Sequence, residues 1–252
     1  MTIVGADAAT TIIDADSIDR VFQVISGATF NLSGVTVTGG SLTNSMDGGG
    51  IFNAGTLHVD DVIVRDNQVS GSVTALGGGI FNQSTLTVTG SQFLNNTAQG
   101  SGGGIFNTIG TATIFDALFD NNTASSRSGG GLDNQGDGTV NVSGSTFTNN
   151  VASDNGGGMR NFGGIANVTN STFSTNRVST GTSGGGLAND DDGVLTITDS
   201  TISGNSGQGA GGIRNAASGV VNVFGSTLTG NTATSSGGAI INQDSGVVNI
   251  SN

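Results

Sequence analysis

The sequence has no proline, cysteine, tryptophan or tyrosine, and it contains neither lysine nor glutamate: its 6 basic residues are all arginine and its 18 acidic residues all aspartate. Without cysteine there are no disulfide staples and no thiolate metal sites. Without proline, nothing in the chain interrupts a backbone hydrogen-bond ladder. Lysine and glutamate are good helix formers, whereas the abundant Gly, Asn, Thr and Val are poor ones, so helices are disfavoured. A net charge of −12 disfavours nucleic acid and anionic membranes, because phosphate recognition needs clustered cations. It also helps keep an elongated molecule in solution. In residues 1–25, Asp7, Asp14, Asp16 and Asp19 break every apolar run, so no signal peptide is recognisable there. No run approaches the ~18–20 apolar residues that cross a bilayer as a helix. An export signal is therefore expected outside this sequence.

The sequence does contain 46 glycines among 252 residues, and they have a period. Gly77-Gly78-Gly79-Ile80-Phe81-Asn82 recurs with variations along the chain, and the closing asparagines are Asn53, Asn82, Asn107, Asn134, Asn161, Asn189, Asn215 and Asn242. They stand 25 to 29 residues apart, a spacing that marks a solenoid of stacked units. After each glycine segment comes an alternating pair such as Leu86-Thr87-Val88, then a third segment such as Ser91-Gln92-Phe93. Three residues beyond the last apolar position stands a second asparagine, as at Asn96, Asn122, Asn150 and Asn176. Alternation within each segment is the strand signature.

The expected fold is all-β: one right-handed, three-sided parallel β-helix of about nine coils with a period of ~27 residues, its handedness following the general crossover preference. Residues 1–29 lack the triple glycine and are expected to form an opening coil or partial N-terminal cap. Residues 30–252 form the repeats, which are expected to continue beyond Asn252 because the last copy stops halfway through the pattern. Equivalent side chains then stack at one strand spacing of ~4.8 Å. Ile51, Ile80, Ile105, Leu132, Met159, Leu187, Ile213 and Ile240 form an apolar column, and Phe93, Phe119, Phe147 and Phe173 a second. The two asparagine series are expected at corners, tolerating a left-handed backbone and hydrogen-bonding amide to amide along the stack.

Two outward features are candidate binding surfaces. Phe52, Phe81 and Phe106 fall between an inward residue and a corner asparagine, so alternation turns them outward as a ladder of rings; an exposed strip of that kind binds a partner or a covering loop. Thr146, Thr148, Thr172, Thr201, Thr227 and Thr229 form hydroxyl rows on the third segment. Such rows suit an ice-binding face, and threonine also simply favours exposed strand positions.

Candidate chemistry is sparse. Asp190-Asp191-Asp192 offers oxygen donors that could take calcium, although a solvated turn accounts for it as well; no cofactor is expected. Asp116 with Asp120, or Asp133 with Asp137, is a conceivable hydrolase pair, but nothing in the pattern isolates either. His58 lies at an outward strand position. The chain therefore reads as non-enzymatic, with polysaccharide binding or cleavage as the alternative to a structural role.

Gly237-Gly238-Ala239-Ile240, and the Phe-x-x-Asn tetrapeptides Phe93–Asn96, Phe119–Asn122, Phe147–Asn150 and Phe173–Asn176, resemble the repeats of the chlamydial polymorphic membrane proteins. The wider similarity is to surface proteins with pectate-lyase-like right-handed β-helix repeats. The resemblance implies an extracellular or cell-surface location in a bacterium or archaeon and a role as stalk, adhesin passenger or filament subunit. The expected partners are a second copy at the exposed end coils or a cell-surface glycan or protein, with no nucleic acid and no membrane insertion. Most repeats here carry Gly-Gly-Gly where the resembling motif has Gly-Gly-Ala, and no C-terminal membrane barrel follows within the sequence.

Overall fold

The computed structural model describes residues 1–180 and 183–251, and within them every strand-to-strand pairing is parallel. The coil beginning at Gly77 shows the plan. Ile80–Asn82 is followed by Thr85–Thr89, Gln92–Leu94 and Thr97–Ala98. Each strand pairs with its equivalent one coil before and one coil after, which gives four sheets: a long sheet of ten strands (Thr85–Thr89 and equivalents), a glycine-led sheet of nine (Ile80–Asn82), a phenylalanine sheet of nine (Gln92–Leu94) and a short sheet of eight (Thr97–Ala98). The chain is thus an all-β parallel solenoid of about nine turns.

Register follows the repeat without slippage. Ile80 pairs with Ile51 and Ile105, and Asn82 with Asn53 and Asn107. Strands of the long sheet bury their second and fourth residues and expose the others, as Thr85–Thr89 does with Leu86 and Val88 inside. Because each inward side chain lies over its equivalent, one continuous core runs the length of the molecule. Phe93, Phe119, Phe147 and Phe173 are fully buried, with ring centroids 4.7, 4.3 and 4.5 Å apart and planes within 7° of parallel. Each such ring contributes roughly 1.5–3 kcal/mol through burial.

The two-residue fourth ladder was not anticipated. Val69, Ala98, Ala124, Ala152 and Val178 point inward from it and form small apolar clusters apart from the main core. The first coil consists of Thr2–Val4, Ile12–Asp14 and Phe22–Val24, each paired with the coil that follows.

Candidate functional site

Corners dominate the polar chemistry. In the first amide ladder each Asn Nδ2 donates to the Oδ1 of the asparagine one coil on: Asn53 to Asn82 and Asn82 to Asn107 at 2.6 Å, Asn107 to Asn134 at 2.7 Å, and onward through Asn161, Asn189 and Asn215 to Asn242. From Asn82 onward the second Nδ2 hydrogen goes to a carbonyl within the same corner, as from Asn107 to Gly110 at 2.9 Å, whereas Asn53 donates to Thr85 O on the next coil. In the second ladder Asn67, Asn96, Asn122, Asn150, Asn176, Asn205 and Asn231 are linked in the same direction at 2.9–3.1 Å. There Oδ1 also accepts the backbone N–H of the preceding coil's asparagine, as Asn122 does from Asn96 at 3.1 Å. A buried amide whose donors and acceptor are all used rigidifies its surroundings without an unpaired polar group.

One expectation about these residues is corrected. The ladder asparagines do not take up the left-handed backbone; in the second ladder the residue before does, at Asp66, Asn95, Asn121, Asn149 and Thr175, and in the first ladder, from Asn134 onward, the residue two beyond does, at Gly136, Gly163, Asp191, Ala217 and Asp244. The bend is made by a neighbouring residue and the asparagine amide is then free to ladder. A third column went unrecognised in the sequence: Ser91, Ser145, Ser171, Ser200 and Ser226 accept backbone N–H groups from the coil below, for example Val62 to Ser91 at 3.0 Å.

The outward ring ladder is also corrected. Phe52, Phe81 and Phe106 do stack, with centroids 5.3 and 5.4 Å apart, but Phe81 and Phe106 are only 4% and 3% exposed. The chain entering each glycine triplet lies against them: a Cβ at Gly102 would sit 2.7 Å from Phe106 Cβ. These entering segments are themselves laddered, Gly77 N–H donating to Ser101 O and Gly102 N–H to Ser128 O. Phe52 is half-buried beneath the Arg20 guanidinium, 5.2 Å from the ring centroid, while Arg20 donates to the carbonyls of Asp47 and Gly48. The column is a second, covered core and not an open strip.

Past Phe106 the same column becomes charged. Asp133, Arg160, Ala188 and Arg214 succeed one another in register. Arg160 Nε lies 3.0 Å from Asp190 Oδ2, Arg214 Nη1 binds Asp190 Oδ1, and Arg160 Nη1 stands 3.8 Å from Asp133 Oδ2. The Arg160 guanidinium lies over Phe162, 4.4 Å from the ring centroid. Asp133 is fully buried, accepts from Gln135 at 2.9 Å and has no partner for Oδ1. Burial holds its carboxyl above the ordinary range, with Arg160 opposing. A depression of about 290 Å³, lined by Arg160, Phe162, Asp190, Asp191, Arg214 and Asp244, opens above the network.

The acidic triplet therefore does not converge on a cation. Asp190 turns inward to two arginines, Asp191 takes the left-handed corner position, and Asp192 accepts from Ser218. Among the described residues no group of three or more His, Asp, Glu or Cys side chains gathers as a metal site. Of the conceivable hydrolase pairs, Asp133 is buried and Asp137 exposed. Asp116 makes a left-handed corner and Asp120 stands outward on the phenylalanine sheet. His58 lies outward on the long sheet, in register with Thr87.

The threonine rows are in register: Thr146, Thr172, Thr201 and Thr227 form one, and Thr148, Ser174, Ser203 and Thr229 the other. Some hydroxyls bond sideways, Thr148 to Thr175 at 3.1 Å and Ser174 to Thr148 at 3.3 Å.

Fold and corners together define a parallel β-helix stabilised by amide ladders. Residues 90–108 and 225–243 match the Chlamydia polymorphic membrane protein repeat. Each match runs from the phenylalanine sheet through both ladder corners to the glycine-led sheet, taking in Asn96 and Asn107 in the first and Asn231 and Asn242 in the second. The chain is a parallel β-helix repeat protein, two stretches of which are similar to that repeat. Comparison with curated proteins gives no match, and comparison with solved structures gives none either.

Proposed function

We propose that this chain is a non-enzymatic, adhesin-type β-helix of a cell surface, which holds its corner loops at a fixed distance from an anchor. The observation that supports this most is the coincidence of the matched repeat with the two amide ladders. Within this chain the segment between the short sheet and the glycines differs in length from coil to coil, 70–76 in one and 99–101 in the next, while the laddered parts keep their register, as a display scaffold requires.

The test is display on a cell lacking adhesins. Binding to host cells or immobilised glycans should exceed that of the empty carrier and fall when the loop spanning 70–76 is replaced by a short Gly-Ser segment. Binding no better than the carrier overturns the reading. A second reading, ice binding, is favoured by the registered rows Thr146–Thr227 and Thr148–Thr229. It predicts thermal hysteresis that vanishes in Thr172→Asp, and is discarded if the unaltered chain shows none.

A further inference from the structure

We propose that the outward face of the ten-stranded long sheet is a pairing surface on which two copies of this chain lie side by side. Among the described residues no loop covers this face: its outward side chains, such as Thr87, Thr113, Asn141, Asn167 and Thr196, are all partly or fully exposed. The glycine-led sheet, by contrast, has its outward column covered.

Charge does not oppose pairing on this face. On a chain of net charge −12, the outward positions of all ten strands carry two ionisable side chains, His58 and Asp60, both in one coil. The acids stand at the corners on either side, at Asp61, Asp116 and Asp199 along one margin and Asp191 and Asp244 along the other. Opposing these faces therefore brings few like charges together. The face is also partly apolar. Ile165, Val194, Val220 and Val247 are successive register partners, and Phe115, Ile165, Phe224 and Val247 are 43%, 49%, 39% and 46% exposed.

Size and period fit a second copy. Five residues at ~3.4 Å by ten strands at ~4.8 Å give roughly 800 Å² per copy, close to the ~800 Å² per partner of a stable complex. Identical combs share one spacing, so Thr, Val and Asn rows of one copy interleave with those of the other, as paired sheets do at ~10 Å. A two-fold axis lying in the plane between the two sheets makes the contact self-complementary and closes it at two copies.

Sedimentation equilibrium with small-angle scattering tests this. A concentration-dependent dimer is expected whose cross-section doubles while its length stays that of one copy. Salt should strengthen it, because screening relieves the acidic margins. T113D/N167D, with unchanged circular dichroism and melting, should weaken pairing at least tenfold, whereas Thr172→Asp on the phenylalanine sheet should leave it intact. Should the double variant fail to fold, Ile165→Lys alone replaces it. Dimers that lengthen the particle are end-to-end stacks and overturn side-by-side pairing, as does pairing that survives the charges. A strict monomer at the solubility limit overturns it too, whether or not its face then holds a glycan or an ice surface.

Discussion

Phe106 and Asp133 are register partners on adjacent coils, and between them an aromatic column gives way to a charged one. Below the junction Phe52, Phe81 and Phe106 stack; above it Asp133, Arg160, Asp190 and Arg214 link one coil to the next through opposite charges. Stacked identical residues leave a repeat free to slip by one whole coil, since each ring finds an equivalent neighbour either way. A run of unlike charges has one correct alignment, so the junction specifies register where repetition alone does not.

The junction also has a pH signature. Asp133 is held above its ordinary value of 3.8 by burial, so between that value and the raised one the folded chain keeps a proton that the unfolded chain has released. The stability tied to this residue is full below the ordinary value and is lost as pH rises through the raised one. The urea midpoint should therefore decline as pH rises above about 4 in the wild type, and Asp133→Asn should remove that decline. Parallel curves for the two proteins would show that Asp133 is not titrating in the fold.

Asn122 is the clearest test of the ladders. Its Oδ1 accepts from both Asn96 nitrogens, at 3.1 and 3.0 Å, and its Nδ2 donates to Asn150 and Phe93, both at 2.9 Å. Asn122→Ala leaves the buried Asn96 N–H without a partner and should cost about 2–4 kcal/mol. Asn122→Asp keeps the acceptor but turns both donor positions into a buried negative charge, and should cost at least as much. Chemical denaturation of the two variants checks the order.

The covered ring column predicts a loss of stability where an exposed strip would predict a loss of binding. Phe81→Ala empties a site that is 4% exposed and should cost about 3 kcal/mol. Phe52 is half-buried and faces the Arg20 guanidinium on its open side, so Phe52→Ala should cost less than half of that. Equal costs would mean that the entering segment does not shield Phe81.

Stacking itself made most of this legible in advance. A side chain that must lie on its own equivalent recurs at the coil period, so the Ile80 column, the Phe93 column and both asparagine series are readable from spacing. Alternation reports which side of a strand Phe81 occupies and not what lies over it, and that is why a covered column read as an exposed one. Thr97–Ala98 and its equivalents are two residues long, too short for alternation to show. Asp190 joins the charged column from the neighbouring row, in register with Phe162, so no single column read down the sequence displays the network. Nor does an Asn-Asn pair reveal which member bends: Asn95 takes the left-handed position and Asn96 the ladder.

Glycines at two kinds of site should respond in opposite ways. At Gly103 an added Cβ would lie 2.5 Å from Gly130 O and 2.5 Å from Thr123 N, backbone atoms of the neighbouring coil and of the following corner that cannot swing aside. Gly103→Ala should therefore force the coils apart and cost about 3 kcal/mol. Gly90 has φ +55° with nothing within 4 Å of an added Cβ, and the equivalent corner in other coils is held by Asp61, Asp116, Asn170 and Asp199 at φ 48–51°. Asparagine tolerates that backbone, so Gly90→Asn should change stability by less than about 0.5 kcal/mol. Thermal melts of the pair decide between space and backbone conformation as the reason for glycine; similar losses in both would mean that φ governs Gly90 after all.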